Sequence, residues 1–113
     1  SEPEPAPPPV PPAPAPPAAR RQIDRIDTPT LRPGQQVAFS WLPNREVVAQ
    51  YEGKGLFRIV QHAHSSVITG DTFLADDFRL GERALLRNVI RTATGQALGD
   101  YKSGKVEALW LMG

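Results

Sequence analysis

Hydrophobic and polar residues alternate with a period of two over much of this chain. Val37, Phe39 and Trp41 recur at every second position in the stretch 36–42, and Pro43-Asn44 ends it, which predicts a half-buried β-strand. Val47, Val48 and Tyr51, then Phe57 and Ile59, mark two further strands on either side of Glu52-Gly53-Lys54-Gly55, so 46–60 reads as a hairpin. Imperfect alternation over 22–27 stops at Thr28-Pro29, where proline removes a ladder donor, and predicts a first, edge strand. Leu31-Arg32-Pro33-Gly34 reads as a turn. Over 61–77 the pattern is weaker, with Val67-Ile68 and Phe73-Leu74 as short strands around a Gly70-Asp71 turn. Residues 105–112 are apolar on both faces, with Val106, Ala108, Trp110 and Met112 on one and Leu109 and Leu111 on the other, which places this strand inside a sheet. Residues 100–104 read as the loop before it. Trp41 and Trp110, both on apolar faces, are expected to anchor the core.

From Gly81 the period changes. Leu85, Leu86, Val89, Ile90 and Ala93 fill one arc of a helical wheel, Glu82 suits a first turn and Gly95 a C-terminal stop, so 81–95 is predicted to be an amphipathic helix. Arg83, Arg87 and Arg91, four residues apart, then form a stripe on its outer arc. Asp76 or Asp77 is read as a cap on a helix start running through Phe78. The expected class is α+β, mainly β: one small domain of about five to seven short strands with one amphipathic helix.

Residues 1–19 break with this pattern, being almost wholly Pro, Ala and Glu. Few amide donors and almost no apolar side chains predict a disordered arm in extended polyproline II, reaching about 60 Å at roughly 3.1 Å per residue. Pro8 to Pro11 and Pro9 to Pro12 have the spacing of a docking ligand, but Arg20 and Arg21 lie far from them, and a spacer is the better reading. The chain thus divides into an arm, 1–21, and a single compact β-rich domain, 22–113. Within these 113 residues no second domain is expected.

Composition narrows the chemistry. The absence of cysteine removes disulfides, thiolate metal sites and thiol nucleophiles. A net charge of +1 gives no global nucleic-acid signal, because dedicated DNA-binding domains are far more basic. No apolar run approaches the roughly 18 residues of a membrane-spanning helix. No secretory leader is visible, and a start at Ser1 is compatible with one having been removed.

Few residues then remain as candidates for a site. His62 and His64 would share one side of a strand and could chelate a metal with Asp71, Asp76 or Asp77, but a metal centre needs three or four fixed ligands, and exposed polar histidines are the better reading. Ser65 and Ser66 beside His64 lack a strained nucleophile turn, and Gly53-Lys54-Gly55 lacks the spacing of a phosphate-cradling loop. No catalytic residue, metal or cofactor is expected. Arg83, Arg87 and Arg91 are the candidate site, able to grip phosphates or carboxylates of an anionic partner, against a plainer reading as a solvated face.

Two resemblances bear on the setting. Gly81-Glu82-Arg83-Ala84-Leu85-Leu86-Arg87-Asn88-Val89, followed by Thr94-Gly95-Gln96-Ala97-Leu98-Gly99 and Lys105-Val106-Glu107, resembles the closing strands of the β-clip domain in flagellar P-ring assembly chaperones, where the stretch would be extended. Read as a helix over 85–95, a loop and a strand over 105–111, the same region is similar to the second half of the small βαβ modules of secretins and secretion-system lipoproteins. The first half departs from that pattern, since a helix should precede Val67. Each resemblance covers under half of the chain and supplies no functional residues. Both imply a non-enzymatic protein-binding or assembly module of a bacterial envelope machine, in the periplasm or cell envelope, with protein partners and a proline-rich spacer. The alternatives are a viral or phage shell protein with a proline-rich arm, and a nucleic-acid-binding module using the three arginines together with Arg20 and Arg21.

Overall fold

The structure, a computed structural model, describes Pro3 and residues 20–42, 45–62 and 67–112. Among them, ten strands and one 3-10 turn follow in chain order. The strands are β1 (Arg20–Gln22), β2 (Arg25–Asp27), β3 (Gln36–Leu42), β4 (Arg45–Gly53), β5 (Leu56–His62), β6 (Thr72–Leu74), β7 (Asp77–Arg79), β8 (Arg83–Arg91), β9 (Gln96–Lys105) and β10 (Ala108–Met112), and the turn is Thr28–Thr30. Eight strands form one antiparallel sheet in the order β1, β10, β3, β4, β5, β6, β8, β9, while β2 and β7 pair as a separate ribbon.

The period-two pattern places the core. Val37, Phe39 and Trp41 of β3, Val47, Ala49 and Tyr51 of β4, and Phe57 and Ile59 of β5 all face one buried cluster. The ribbon closes over it: Ile26 and Phe78 face each other across β2 and β7 and both are buried. Phe78 stands 4.9 Å from Phe39 and 5.5 Å from Phe57, ring to ring, so one aromatic ties the ribbon to two strands of the sheet. The sheet also curls back on itself. Gly104 of β9 packs against the Trp41 indole, where a Cβ would come within 3.3 Å of Cδ1 and the ring would have to give by a few tenths of an ångström.

The helix expected over 81–95 is not formed, and the fold is all-β rather than α+β, with more strands than the five to seven expected. The physical reason is a bulge. Ala84 and Leu86 are buried two apart, but the next buried residue is Val89, because Asn88 takes a left-handed conformation (φ 49°) and the register slips from Leu86 opposite Tyr101 to Val89 opposite Gly99. A strand whose parity switches once repeats its apolar positions much as a helix does. Gly95 is then a turn residue between β8 and β9, not a helix stop. The residues read as a loop over 100–104 belong to β9. Asp76 and Asp77 cap no helix, since 77–79 is β7. Val67 is a buried plug in an irregular stretch rather than a strand residue.

The strands over 36–42, 46–51 and 56–60 form as expected, and β10 lies between β1 and β3. Trp41 is a core residue. Trp110 is not: it is half-buried on the outer face, opposite Gln22 and Ala38. The Arg20 guanidinium lies 5.1 Å from its ring centroid and makes a two-pronged ion pair with Glu46, so the first strand is pinned across the outside of the sheet.

Candidate partner-docking face

The three arginines of the expected stripe lie on one strand but do not act together. Arg91 follows the bulge and shares the parity of buried Val89. Its guanidinium meets the Asp71 carboxylate through two hydrogen bonds, Nε to Oδ1 at 3.3 Å and Nη2 to Oδ2 at 3.2 Å. Asp71 is only 1 % exposed and also accepts the Ile68 amide at 3.0 Å. These hydrogen bonds hold the Arg91 pKa above its ordinary value, against the opposing effect of burial. Beside it the Thr92 hydroxyl donates to the Gly70 carbonyl at 2.7 Å, so this end of β8 clasps the turn before β6. Arg87 bonds Asp76 at 2.6 Å. Two of the three cations are therefore internal clasps.

Arg83 differs. It stands opposite Lys105 across the β8–β9 pair, and Leu85 stands opposite Lys102. Arg83, Lys102 and Lys105 are exposed and take part in no ion pair among the described residues. Like charges facing each other across a strand pair repel, and nothing on the same hairpin relieves them. The Asp100 carboxylate is engaged at the bulge, where it accepts the Asn88 amide at 3.0 Å. Glu82 bears instead on Arg79, whose pKa is raised first by its hydrogen bond to Asp77 and further by the Glu82 charge.

Apolar side chains share this face. Leu85 is 45 % exposed and Ile90 39 %, both outward on β8, and Leu98 is 38 % exposed on β9. Leu98 falls in the register slip between Val89 opposite Gly99 and Ile90 opposite Ala97, so no residue of β8 faces it. β9 is the last strand of the sheet and pairs with β8 alone; only its far end, at Tyr101 and Gly104, is covered, by Trp41 of β3. The hairpin thus presents an open strand edge over 96–100 with exposed aliphatics beside it, and bare cations on the outer face of the end that Trp41 backs. Sequence reasoning found Arg83 but missed Lys102, because 100–104 read as loop, Lys105, because it read as the start of the last strand, and Leu85, because it read as part of the docked arc of a helix. A strand reading of 96–105 against 83–91 sets Lys105 opposite Arg83.

Two concave surfaces lie elsewhere. A recess of about 290 Å³ is bounded by Thr28, Tyr51, Lys54 and Asp76, and a groove of about 790 Å³ by Leu31, Pro33, Tyr51, Lys54, Leu56 and Leu74. At these surfaces the Tyr51 hydroxyl accepts the Gly55 amide, Asp76 holds Arg87 and Glu52 holds Arg58, whereas the buried Thr28 hydroxyl at the recess has no hydrogen-bond partner among the described residues. His62 ends β5, whereas His64, Ser65 and Ser66 lie outside the described residues. Among the described residues no three metal-ligating side chains come together, and no helix is long and apolar enough to cross a membrane. Comparison with models of known protein families, with curated proteins and with solved structures finds no match.

Proposed function

We propose that this chain is a non-enzymatic protein-binding module that docks its partner on the β8–β9 hairpin. The observation that carries this reading is the open β9 edge flanked by exposed Leu85, Ile90 and Leu98. An open edge offers main-chain donors and acceptors to an added strand, and exposed aliphatics beside it provide apolar contact. The proline-rich stretch 1–19, which precedes β1, then serves as a spacer for this domain. A bacterial envelope machine, in which an anchor and a docking site must be kept apart, is the setting proposed for it.

Site-specific photo-crosslinking tests this. A benzophenone side chain placed at Leu98 or Leu85 is expected to give discrete adducts in extract of the native host, and one placed at Arg21, on the strand at the other end of the sheet order, none. Equal labelling from all three positions, or no adduct from the hairpin, would overturn the assignment of the docking face.

A further inference from the structure

We infer that the partner segment taken by the β9 edge is an extended strand rich in acidic residues. The inference rests on the docking function proposed for the same hairpin and adds the chemistry of what docks. Arg83, Lys102 and Lys105 form a cationic group with no carboxylate to meet it among the described residues, and two of the three face each other across the strand pair. Carboxylates from an added strand would turn this repulsion into attraction.

Other occupants fit the charges less well. A second copy, paired edge to edge, would offer these cations only Asp100 from its own β9, and that carboxylate is already engaged by the Asn88 amide. The chain's own residues 1–19 offer only Glu2 and Glu4 as acids, and their prolines have no N–H to give a ladder. A nucleic acid would meet three cations interleaved with Leu85 and Ile90, and the stripe that might have extended the contact is spent on Asp76 and Asp71. The slip at Gly99, where φ is 77°, interrupts the edge, so the added strand pairs in short runs on either side of it.

The test uses the full chain, labelled for amide NMR, with three probes: a blocked peptide of alternating glutamate and valine, its lysine and valine counterpart, and oligothymidylate. The glutamate peptide is expected to slow amide exchange over 96–102 and to bind roughly tenfold more tightly than the lysine peptide. Lys102→Glu with Lys105→Glu should reverse that preference. Lys102→Gln with Lys105→Gln, a milder pair of changes at exposed positions, should abolish it, and dispersed amide spectra of both variants show that they fold.

Equal affinity of the two peptides with the same amides protected would remove the acidic requirement and leave the docking edge standing. Protection by neither peptide would remove the docking edge itself. Binding of oligothymidylate in preference to the glutamate peptide would assign the cations to nucleic acid and overturn the inference.

Discussion

The β3–β4–β5 meander and the β8–β9 hairpin are built from similar alternating sequence, yet they end in opposite conditions. In the meander every inward residue meets another: Phe57 stacks on Phe73 at 5.3 Å, lies 5.1 Å from Tyr51 and takes the edge of Phe78 at 5.5 Å. In the hairpin the inward residues Ala84, Leu86 and Val89 are equally buried, but the outward ones are left exposed and the charges unmatched. Closure of the sheet explains the contrast. The meander lies in the middle of the strand order and under the ribbon, whereas the hairpin ends it, with β8 paired to β6 and no strand paired to the outer side of β9. The first region holds the fold, and the second is free to do something else.

The largest expected effect tests that division. Phe57→Ala empties the centre of the aromatic cluster, and with no exposed surface to relax toward it should cost about 4 kcal/mol in urea unfolding. Leu85→Ser should cost within about 0.5 kcal/mol, as surface positions do. If the two losses were comparable, the hairpin face would be packed in a way its exposure does not show.

Asp71→Ala comes next, because it strikes where the two regions are joined. The change strips a buried acceptor from the Ile68 amide and from Arg91 and leaves a part-buried amide without its partner. A loss of about 2 kcal/mol is expected, less than for a fully enclosed ion pair since Arg91 is partly exposed. Amide exchange should quicken first around 68–72 and at the Arg91 end of β8 while the meander stays protected. Uniform quickening would mean that the clasp holds the whole molecule rather than one turn.

Asn88→Val is a smaller step within the hairpin. A β-branched residue resists the left-handed backbone that Asn88 occupies, and a loss of about 1 kcal/mol with altered β9 shifts beyond Tyr101 is expected. Asn88→Gly should be tolerated. The same residue explains how much was legible in sequence. Val37, Phe39, Trp41 and the Gly53-Lys54-Gly55 turn announced their strands because the irregularity between Ser40 and Leu42 comes at the end of β3 and leaves its three core positions two apart. In β8 one left-handed residue shifted the parity of everything after it, and two apolar phases offset by one place look like a helical stripe. Periodicity cannot tell the two apart, although Val89, Ile90, Thr92 and Thr94 favour a strand. The cost fell on the candidate site. A helix put Arg83, Arg87 and Arg91 in line, while the strand divides them between Lys105, Asp76 and Asp71. Trp110 was misplaced for a different reason, since a strand apolar on both faces does not say which face is the core.

Arg83→Glu has the smallest expected effect on stability and separates the two regions most cleanly. It sets a carboxylate opposite Lys105 and replaces a repulsive cross-strand pair with an attractive one. Both side chains are exposed, so the gain should be about 0.5 kcal/mol, reduced by salt. Lys105→Glu should give a similar gain from the other side, and the double variant, which restores like charge, should lose it. A coupling of that sign in the cycle of four proteins would identify the pair as unmatched in the native chain. The same substitutions should weaken an acidic docking strand while the fold becomes slightly more stable. Residues kept for packing do not behave in that way, whereas residues kept for binding at the expense of stability do. Loss of stability in both single variants would instead make Arg83 and Lys105 structural, and the hairpin edge would then be merely protected by charge against pairing.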